Sequence, residues 1–486
     1  MSHLFEFPLE LPELGSRQRQ AALHAQLRAA ILDGRLKPGL RLPATRELAQ
    51  ALGVSRNTVV AAYDLLLGEG YVVARHGAGN YVADMAARPA APRSARPDDG
   101  RLAAYWRTSA LSPSAVPALR FRYDFSVGVP DMAPFPFDVW RRLSARALRG
   151  LSKSPSLQRP PQGQPALREA IARHVSFARA VACEPADVLV TSGAQQAFDL
   201  LARVLVTPGR TVVAVEDPGY RPLRAVFEAA GAQIVSVRVD AQGLVVEEIP
   251  ARVDIVYVTP SHQFPLGMPL SPTRRSALLA FAQARGAVII EDDYDGEFRY
   301  GGRPLDALQT LDRAAAVCYV GTFSKCLFPS LRLGYVVMPA WLHAPMAHAK
   351  LLTDRHGDLL AQETLAAFIA EGHLVRHIRK MRKIYAERRD VLLDALRRHA
   401  DGYLKPMPAD AGLHLTAEAA PSVDVHAWTR MAAQQGVRLE NLHDYTSGEH
   451  SWSGEHAWRG IPFGLGMIAA ERIDEAIVRV MAQVVR

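Results

Sequence analysis

Residues 321–335 read GTFSKCLFPSLRLGY. The run continues an apolar, strand-like stretch, AVCYVGTFSK, and sets Lys325 at the strand end between hydroxyls, seven residues before an arginine. A lysine amine can form an imine with an aldehyde. Thr322, Ser324 and Arg332 can hold a phosphate dianion by charge-assisted bonds. The set suits a phosphorylated aldehyde cofactor. Taken alone, a lysine in such a loop is more often solvated than reactive.

Upstream, residues 287–298 read AVIIEDDYDGEF. A hydrophobic strand that ends in carboxylates is costly to bury unless a cation is present. The protonated pyridine nitrogen of pyridoxal phosphate is such a cation, and an Asp partner is expected for it. Asp292 is preferred to Asp293, because Tyr294 then falls two residues on and can reach the cofactor's ring hydroxyl. There is one acidic cluster with no histidine beside it, so no metal is expected. In TSGAQQAFDLL (191–201) a small-residue turn leads into a helix whose free N–H groups can hold an anion. Gly193, Ala194 and Gln195 are the candidate phosphate cradle. In EDPGY (216–220), Tyr220 can stack on a pyridine ring or simply pack on its turn.

Val- and Ile-rich strand-like runs alternate with helical ones from about Phe121 onward. DVLVTSGA, TVVAVEDPGY, QIVSVRV and DIVYVTP are separated by stretches such as QQAFDLLARVL and RSALLAFAQARG. This predicts an α/β unit with a mainly parallel sheet. The chain beyond about residue 350 reads as mostly helical. Residues 84–119, rich in Ala, Pro, Arg and Ser, read as a linker. Within it the pair Tyr105–Trp106 is a candidate for docking.

Residues 12–83 form a separate pattern. Leu23, Leu27 and Ile31 recur at helical spacing. Gly34 and Pro38–Gly39 break the first helix, a second starts near Thr45, and Gly53 ends it. Ser55 is a good N-cap for a third. Two short helices joined by a glycine-containing turn predict a helix-turn-helix, whose second helix puts its first residues in the DNA major groove. Those are Ser55, Arg56, Asn57 and Thr58. YVVARHGAGNYVA (71–83) reads as a hairpin wing with Arg75 and His76 at its tip. Helical period alone fits a generic three-helix bundle equally well.

The whole string GRLKPGLRLPATRELAQALGVSRNTVVAAYDLLLGEGYVVARHGAGNYV (34–82) resembles the GntR-type winged helix-turn-helix. That resemblance implies DNA contacts at Arg46, Ser55, Arg56, Asn57, Thr58, His76 and Gly77. SGAQQA, DPGY, DDYDGEF and TFSKCLFPSLRLGY, in this order, resemble fold-type I aminotransferases that use pyridoxal phosphate. The two together, with TPSHQFPLG and EGHLVRHIRKMRKIY, resemble the MocR/GabR regulators. The expected organisation is a DNA-binding domain at 12–83, a linker at 84–119 and an aminotransferase-like effector and dimerisation domain at 120–486. The resemblance further implies a head-to-tail homodimer, a double-stranded DNA operator and a small-molecule effector. An aminotransferase with an accessory DNA-binding domain is the alternative.

Three positions depart from the family pattern. In SHQFPLG, Phe264 stands where aminotransferases have Asn, so His262 or Gln263 must substitute, and Gln263 is taken as a cofactor contact. In LQRPPQGQPALREAIA, Gln158 stands near the position where the family usually has a tyrosine that reaches the partner subunit's phosphate. In WRGIPFGLGM, Pro462 falls where a carboxylate-binding arginine belongs, with Arg459 three residues upstream. Turnover requires a held carboxylate, so the domain is expected to sense its ligand without physiological turnover.

Bulk properties agree. The 486 residues carry a net charge of +8, a balance compatible with nucleic acid. Cys183, Cys318 and Cys326 form no CxxC pair, so neither a disulfide framework nor a zinc site is expected, and a reducing cytoplasmic setting fits. No apolar run approaches the ~18 residues of a membrane span, and the N-terminus lacks a signal-peptide pattern.

Overall fold

Leu23, Leu27, Ala30 and Ile31 share one face of α1 (Ser16–Leu32) and are buried. They pack with Leu48 of α2 (Thr45–Leu52) and with Val59, Tyr63 and Leu66 of α3 (Arg56–Gly68). Gly53, in the left-handed conformation, ends α2. The Ser55 hydroxyl caps α3 by accepting from the Thr58 N–H at 3.2 Å. Strands β1 (Val72–Arg75) and β2 (Gly79–Val82) pair antiparallel, and Val72 and Val82 close the same core. This is a winged helix-turn-helix.

The computed structural model describes residues 5, 7–12, 16–75, 78–84, 101–108, 121–153, 159–301, 305–408, 410–447 and 458–482. The chain divides into two compact units, residues 1–99 and 100–486. The second begins with an element the linker reading missed. Helix α4 (Ala104–Thr108) lies in the Ala/Pro-rich stretch, and its Tyr105 hydroxyl donates to the Ala225 carbonyl at 3.1 Å.

In chain order the second unit continues with β3 (Tyr123–Asp124), α5 (Phe137–Ser152), α6 (Pro165–Arg179), β4 (Val188–Thr191), α7 (Ala194–Leu205), β5 (Val212–Asp217) and α8 (Arg221–Ala229). Then come β6 (Gln233–Asp240), β7 (Gly243–Leu244), β8 (Ile255–Val258), α9 (Pro272–Arg285), β9 (Val288–Asp293), α10 (Leu308–Leu311), β10 (Val317–Thr322) and β11 (Gly334–Val337). The sheet order is β4-β11-β10-β9-β8-β5-β6-β7. Its centre, β10-β9-β8-β5-β6, is parallel, while β11 and β7 run antiparallel to their neighbours. Alternate residues feed two cores: Val213, Val215, Ile255 and Ile290 enter one, Val212, Ala214, Val256 and Ile289 the other. A sheet covered on both faces accounts for the continuous apolar runs in the sequence.

The last part combines α11 (His343–Asp354), α12 (Leu359–Ala370), α13 (His373–His399), β12 (Leu404–Pro406), β13 (His414–Ala419), α14 (Val425–Gln434), β14 (Val437–Arg438), β15 (Gly460–Gly464) and α15 (Ala470–Met481). It is not simply helical, because β12-β13-β15 form an antiparallel sheet. That sheet's strands are short and set between helices, so their alternation is weak in sequence. Among the described residues, no helix is long and apolar enough to cross a membrane.

Arg179, at the end of α6, ties this helix to the sheet. It makes a buried pair with Asp293 at 2.6 Å and donates to the Leu305 carbonyl at 2.8 Å in partly buried surroundings. Removing one member of a buried pair strands the other charge. Arg179→Leu is expected to lower stability by about 3–5 kcal/mol in urea unfolding. A loss below about 1 kcal/mol, the range of exposed pairs, would show that Asp293 does not depend on it.

Candidate functional site

In the first unit the exposed polar groups gather at the starts of α2 and α3. Arg46, Ser55, Arg56 and Asn57 are exposed. Arg56 reaches back to the Thr45 hydroxyl at 3.4 Å, linking the two helix N-termini. Thr58 departs from the expectation. It is buried, and its hydroxyl lies 2.8 Å from that of Ser55. The third position of a capped helix turns inward to complete the cap, so Thr58 shapes the surface from beneath. His76 and Gly77 lie outside the described residues, while neighbouring Arg75 stacks over Tyr81 at 4.5 Å.

In the second unit a cavity of about 330 Å³ opens at the carboxyl ends of the parallel strands, where α/β sheets bind ligands. It gathers Ala194, Gln195, Tyr220, Asp292, Tyr294, Thr322, Ser324, Lys325 and Arg332. A wider cleft among α5, α6 and α12, about 760 Å³, is lined largely by alanines and surface arginines and shares none of these groups.

Lys325 follows β10 directly and donates to the Gly128 carbonyl at 2.6 Å. Gly128 has a φ of +71°, and a Cβ there would sit 2.9 Å from the Lys325 Nζ, so a larger residue would be strained and would push the amine aside. Burial holds the Lys325 ammonium below the ordinary lysine range, with Asp295 and Asp292 opposing.

Neighbouring β9 carries the carboxylates. Asp292 accepts from the Tyr257 hydroxyl at 2.8 Å through one oxygen, and its other oxygen is buried without a partner. Burial raises its carboxyl to about 7, although the Tyr257 bond pulls the other way. Asp293 is already satisfied by Arg179 and by the Tyr319 hydroxyl, each at 2.6 Å. Of the two, Asp292 lines the cavity and, among the described residues, holds a buried oxygen without a partner for a cationic ligand atom.

At the start of α7, Gly193 has a positive φ of 78°. A Cβ there would lie 3.1–3.3 Å from the Arg332 guanidinium, which donates to the Ser192 carbonyl at 3.1 Å. Glycine thus lets the arginine lie over the helix N-terminus, where unpaired N–H groups already favour an anion. The Ser324 hydroxyl is buried beside it without a partner. These orphaned donors, with the orphaned Asp292 oxygen, fit a small molecule that is anionic at one end and cationic at the other.

Other expectations fall outside this cavity. Gln263 does not line it: its amide donates to the Pro218 carbonyl at 2.9 Å and accepts from the Leu266 N–H at 3.0 Å, bracing its own loop. Phe264 takes the wall position, edge-on to Tyr220, Tyr294 and Tyr445. Pro462 is buried in β15 opposite Thr416. Arg459 turns to the Val423 carbonyl at 2.7 Å and is not among the lining residues. Gln158 lies outside the described residues.

Sequence reading missed Tyr257, Gly128, Arg221 and Tyr445, all cavity residues. Tyr257 left a signal, one hydroxyl in an otherwise apolar strand. Gly128 and Tyr445 come from distant parts of the chain and left none. Against the expectation of no metal, His262, Asp295 and His414 form a buried group of ligand type, with candidate donor atoms within 4.8 Å of one another. No ion is implied by this alone: His262 and Asp295 bond each other, and His414 bonds the Pro265 carbonyl.

Residues 123–449 match the family described as aminotransferase class I and II, and residues 19–82 match the bacterial regulatory proteins of the gntR family. The probable rhizopine catabolism regulatory protein MocR of Rhizobium meliloti is 40% identical over 86% of this chain and 85% of its own. The HTH-type pyridoxine biosynthesis transcriptional regulator PdxR of Corynebacterium glutamicum is 33% identical over 95% of each. The crystal structure of Pyrococcus horikoshii kynurenine aminotransferase superposes with a TM-score of 0.68 at 26% identity, covering 76% of this chain and 91% of that one.

A buried amine with a lowered pKa is more often neutral, and so more nucleophilic, near neutral pH. Brief reductive methylation with dilute formaldehyde is therefore expected to label Lys325 ahead of the exposed lysines. Peptide mass spectrometry reads the order, and labelling no faster than at Lys153 or Lys405 would contradict the assignment.

Proposed function

Since the chain belongs to the MocR-type regulators, in which a GntR-type DNA-binding unit is joined to an aminotransferase-like domain, we propose that it senses pyridoxal phosphate, or an amino compound that reacts with it, in the Lys325 cavity. The protein is a transcription regulator of the helix-turn-helix type, and its large unit has the fold-type I aminotransferase architecture. The alternative, an aminotransferase with an accessory domain, does not hold, because the relatives that span the chain are named as regulators.

The observation that carries the cofactor reading is the pairing of a buried amine with an orphaned carboxylate oxygen across one cavity. When bound, pyridoxal phosphate supplies an aldehyde that condenses with primary amines. Lys325 would anchor it. Arg332, Ser324, Thr322 and the α7 N-terminus with Gly193, Ala194 and Gln195 would hold the phosphate. Asp292 would accept a hydrogen bond from the protonated ring nitrogen, Tyr294 would meet the ring hydroxyl, and Tyr220 would cover the ring.

The site supports sensing better than turnover. Pro462 offers no charge to an α-carboxylate, and Arg459 faces elsewhere. An unpaired carboxylate loses affinity. The name of one relative, a pyridoxine biosynthesis regulator, agrees with a signal related to this cofactor. On the DNA side Arg46, Ser55, Arg56 and Asn57 would contact an operator, with His76 and Gly77 on the wing. The working form is proposed to be a head-to-tail homodimer.

Adding pyridoxal phosphate to the purified protein should produce a visible absorbance band that Lys325→Ala abolishes. A panel of amino acids and 2-oxo acids should then give no multi-turnover product. Absence of a band would refute the cofactor assignment, and rapid turnover would refute sensing without catalysis. Arg56→Ala should weaken specific DNA binding by about 1–3 kcal/mol in titrations at fixed salt. Unchanged affinity would remove α3 from the interface.

A further inference from the structure

Tyr294 reaches the cavity from the end of β9, and its hydroxyl oxygen lies 2.8 Å from the Nδ1 of His262. Among the described residues this is its hydrogen-bond partner. The same Nδ1 lies 3.1 Å from both oxygens of Asp295. His262 and Asp295 are almost fully buried, at 2% and 1% exposure.

One ring nitrogen therefore faces two oxygens, and only one arrangement of protons satisfies both. Burial would raise the Asp295 carboxyl, but nearby His262, its hydrogen bond and the Leu413 N–H hold it below the usual range. As a carboxylate, Asp295 can only accept. His262 must then carry its proton on Nδ1 and donate. The Tyr294 oxygen, at the same Nδ1, is an acceptor too. Its own proton has to point away from His262, and the open direction is the cavity. Burial and the surrounding carboxylates keep the Tyr294 phenol protonated. His414 does not disturb this. Its Nε2 donates to the Pro265 carbonyl at 2.9 Å, leaving a lone pair on Nδ1.

We propose that Asp295 and His262 are a positioning pair that turns the Tyr294 hydroxyl proton into the cavity, making Tyr294 an obligatory hydrogen-bond donor to an oxygen of the bound group. The proposal rests on the cofactor reading above, in which that oxygen is the ring hydroxyl of pyridoxal phosphate. A donor aimed at this oxygen favours its ionised form. It therefore lowers the pH at which the bound chromophore titrates.

Asp295→Asn keeps the shape and reverses the polarity. Its neutral amide no longer holds the His262 proton on Nδ1 by charge, and with that proton on Nε2 the single Nδ1 lone pair faces Tyr294. Tyr294 then donates to His262, and its proton leaves the cavity. The variant also removes a negative charge near Lys325, which by itself lowers the midpoint. Other charged or titratable groups packed around the site are Asp292 and Asp293 on β9, Glu216 on β5, His414 on β13, Lys325 and Arg332 after β10, and Glu440 after β14. None of them changes in the variant.

The test is a double-mutant cycle on the midpoint of the visible band of the loaded protein, in wild type, Asp295→Asn, Tyr294→Phe and the double variant. With the Tyr294 hydroxyl in place, Asp295→Asn should shift the midpoint upward by about one pH unit more than it does in the Tyr294→Phe background, a tenfold change in proton affinity. Equal shifts in both backgrounds would overturn the pair's role. Lack of any band in wild type would instead defeat the cofactor reading. If Asp295→Asn fails to fold, 15N NMR of histidine-labelled wild type decides: the proton of His262 is expected on Nδ1, and a lone pair there overturns the proposal.

Discussion

Four carboxylates, Glu291, Asp292, Asp293 and Asp295, are buried at the end of β9. Desolvating a charge is expensive unless partners replace the water. The surrounding structure is arranged to supply them. Glu291 accepts from the N–H groups of Leu308 and Gln309 at the start of α10, at 2.7 and 2.8 Å. Asp293 takes Arg179 from α6 and Tyr319 from β10. Asp295 takes His262 and the Leu413 N–H just before β13. Asp292 receives only Tyr257, and this incomplete satisfaction is what leaves the cavity a polar demand.

The sequence conveyed much of this because the demand is local. A Val/Ile strand ending in EDDYD cannot be buried without cations and donors, and Lys325 and Arg332 stand in one short run nearby. The parallel sheet was legible for a similar reason, since strands covered on both faces must be apolar throughout. What stayed hidden depends on distance or on direction. Gly128 and Tyr445 reach the cavity from opposite ends of the second unit. Gln263 has the right chemistry but spends its amide on its own loop. Thr58 follows the exposed Ser55, Arg56 and Asn57 yet is buried, its hydroxyl against that of the capping Ser55. Sequence composition also concealed α4, although its Tyr105, which bonds the Ala225 carbonyl, was visible as a docking candidate.

The same contrast explains the functional reading. On the proposed reading, the groups around Lys325 would hold the cofactor, while Pro462, where the resemblance led one to expect a carboxylate-binding arginine, is locked into a strand pair. On that reading binding energy would serve recognition rather than the positioning of an amino acid for proton transfer. A ligand held this way can still govern DNA binding. It needs only different affinities for the arrangements that bind DNA well and poorly. The effect on DNA then equals the reciprocal effect of DNA on the ligand.

A DNA titration reads that coupling. The affinity of the protein for the DNA flanking its own gene is measured at fixed salt, with and without pyridoxal phosphate, for wild type and Lys325→Ala. Loading the cofactor is expected to change the wild-type affinity by about 5-fold or more, as for a coupled pair of sites, and to leave Lys325→Ala unchanged. Equal wild-type affinities in the two conditions, or an equal change in the variant, would contradict it.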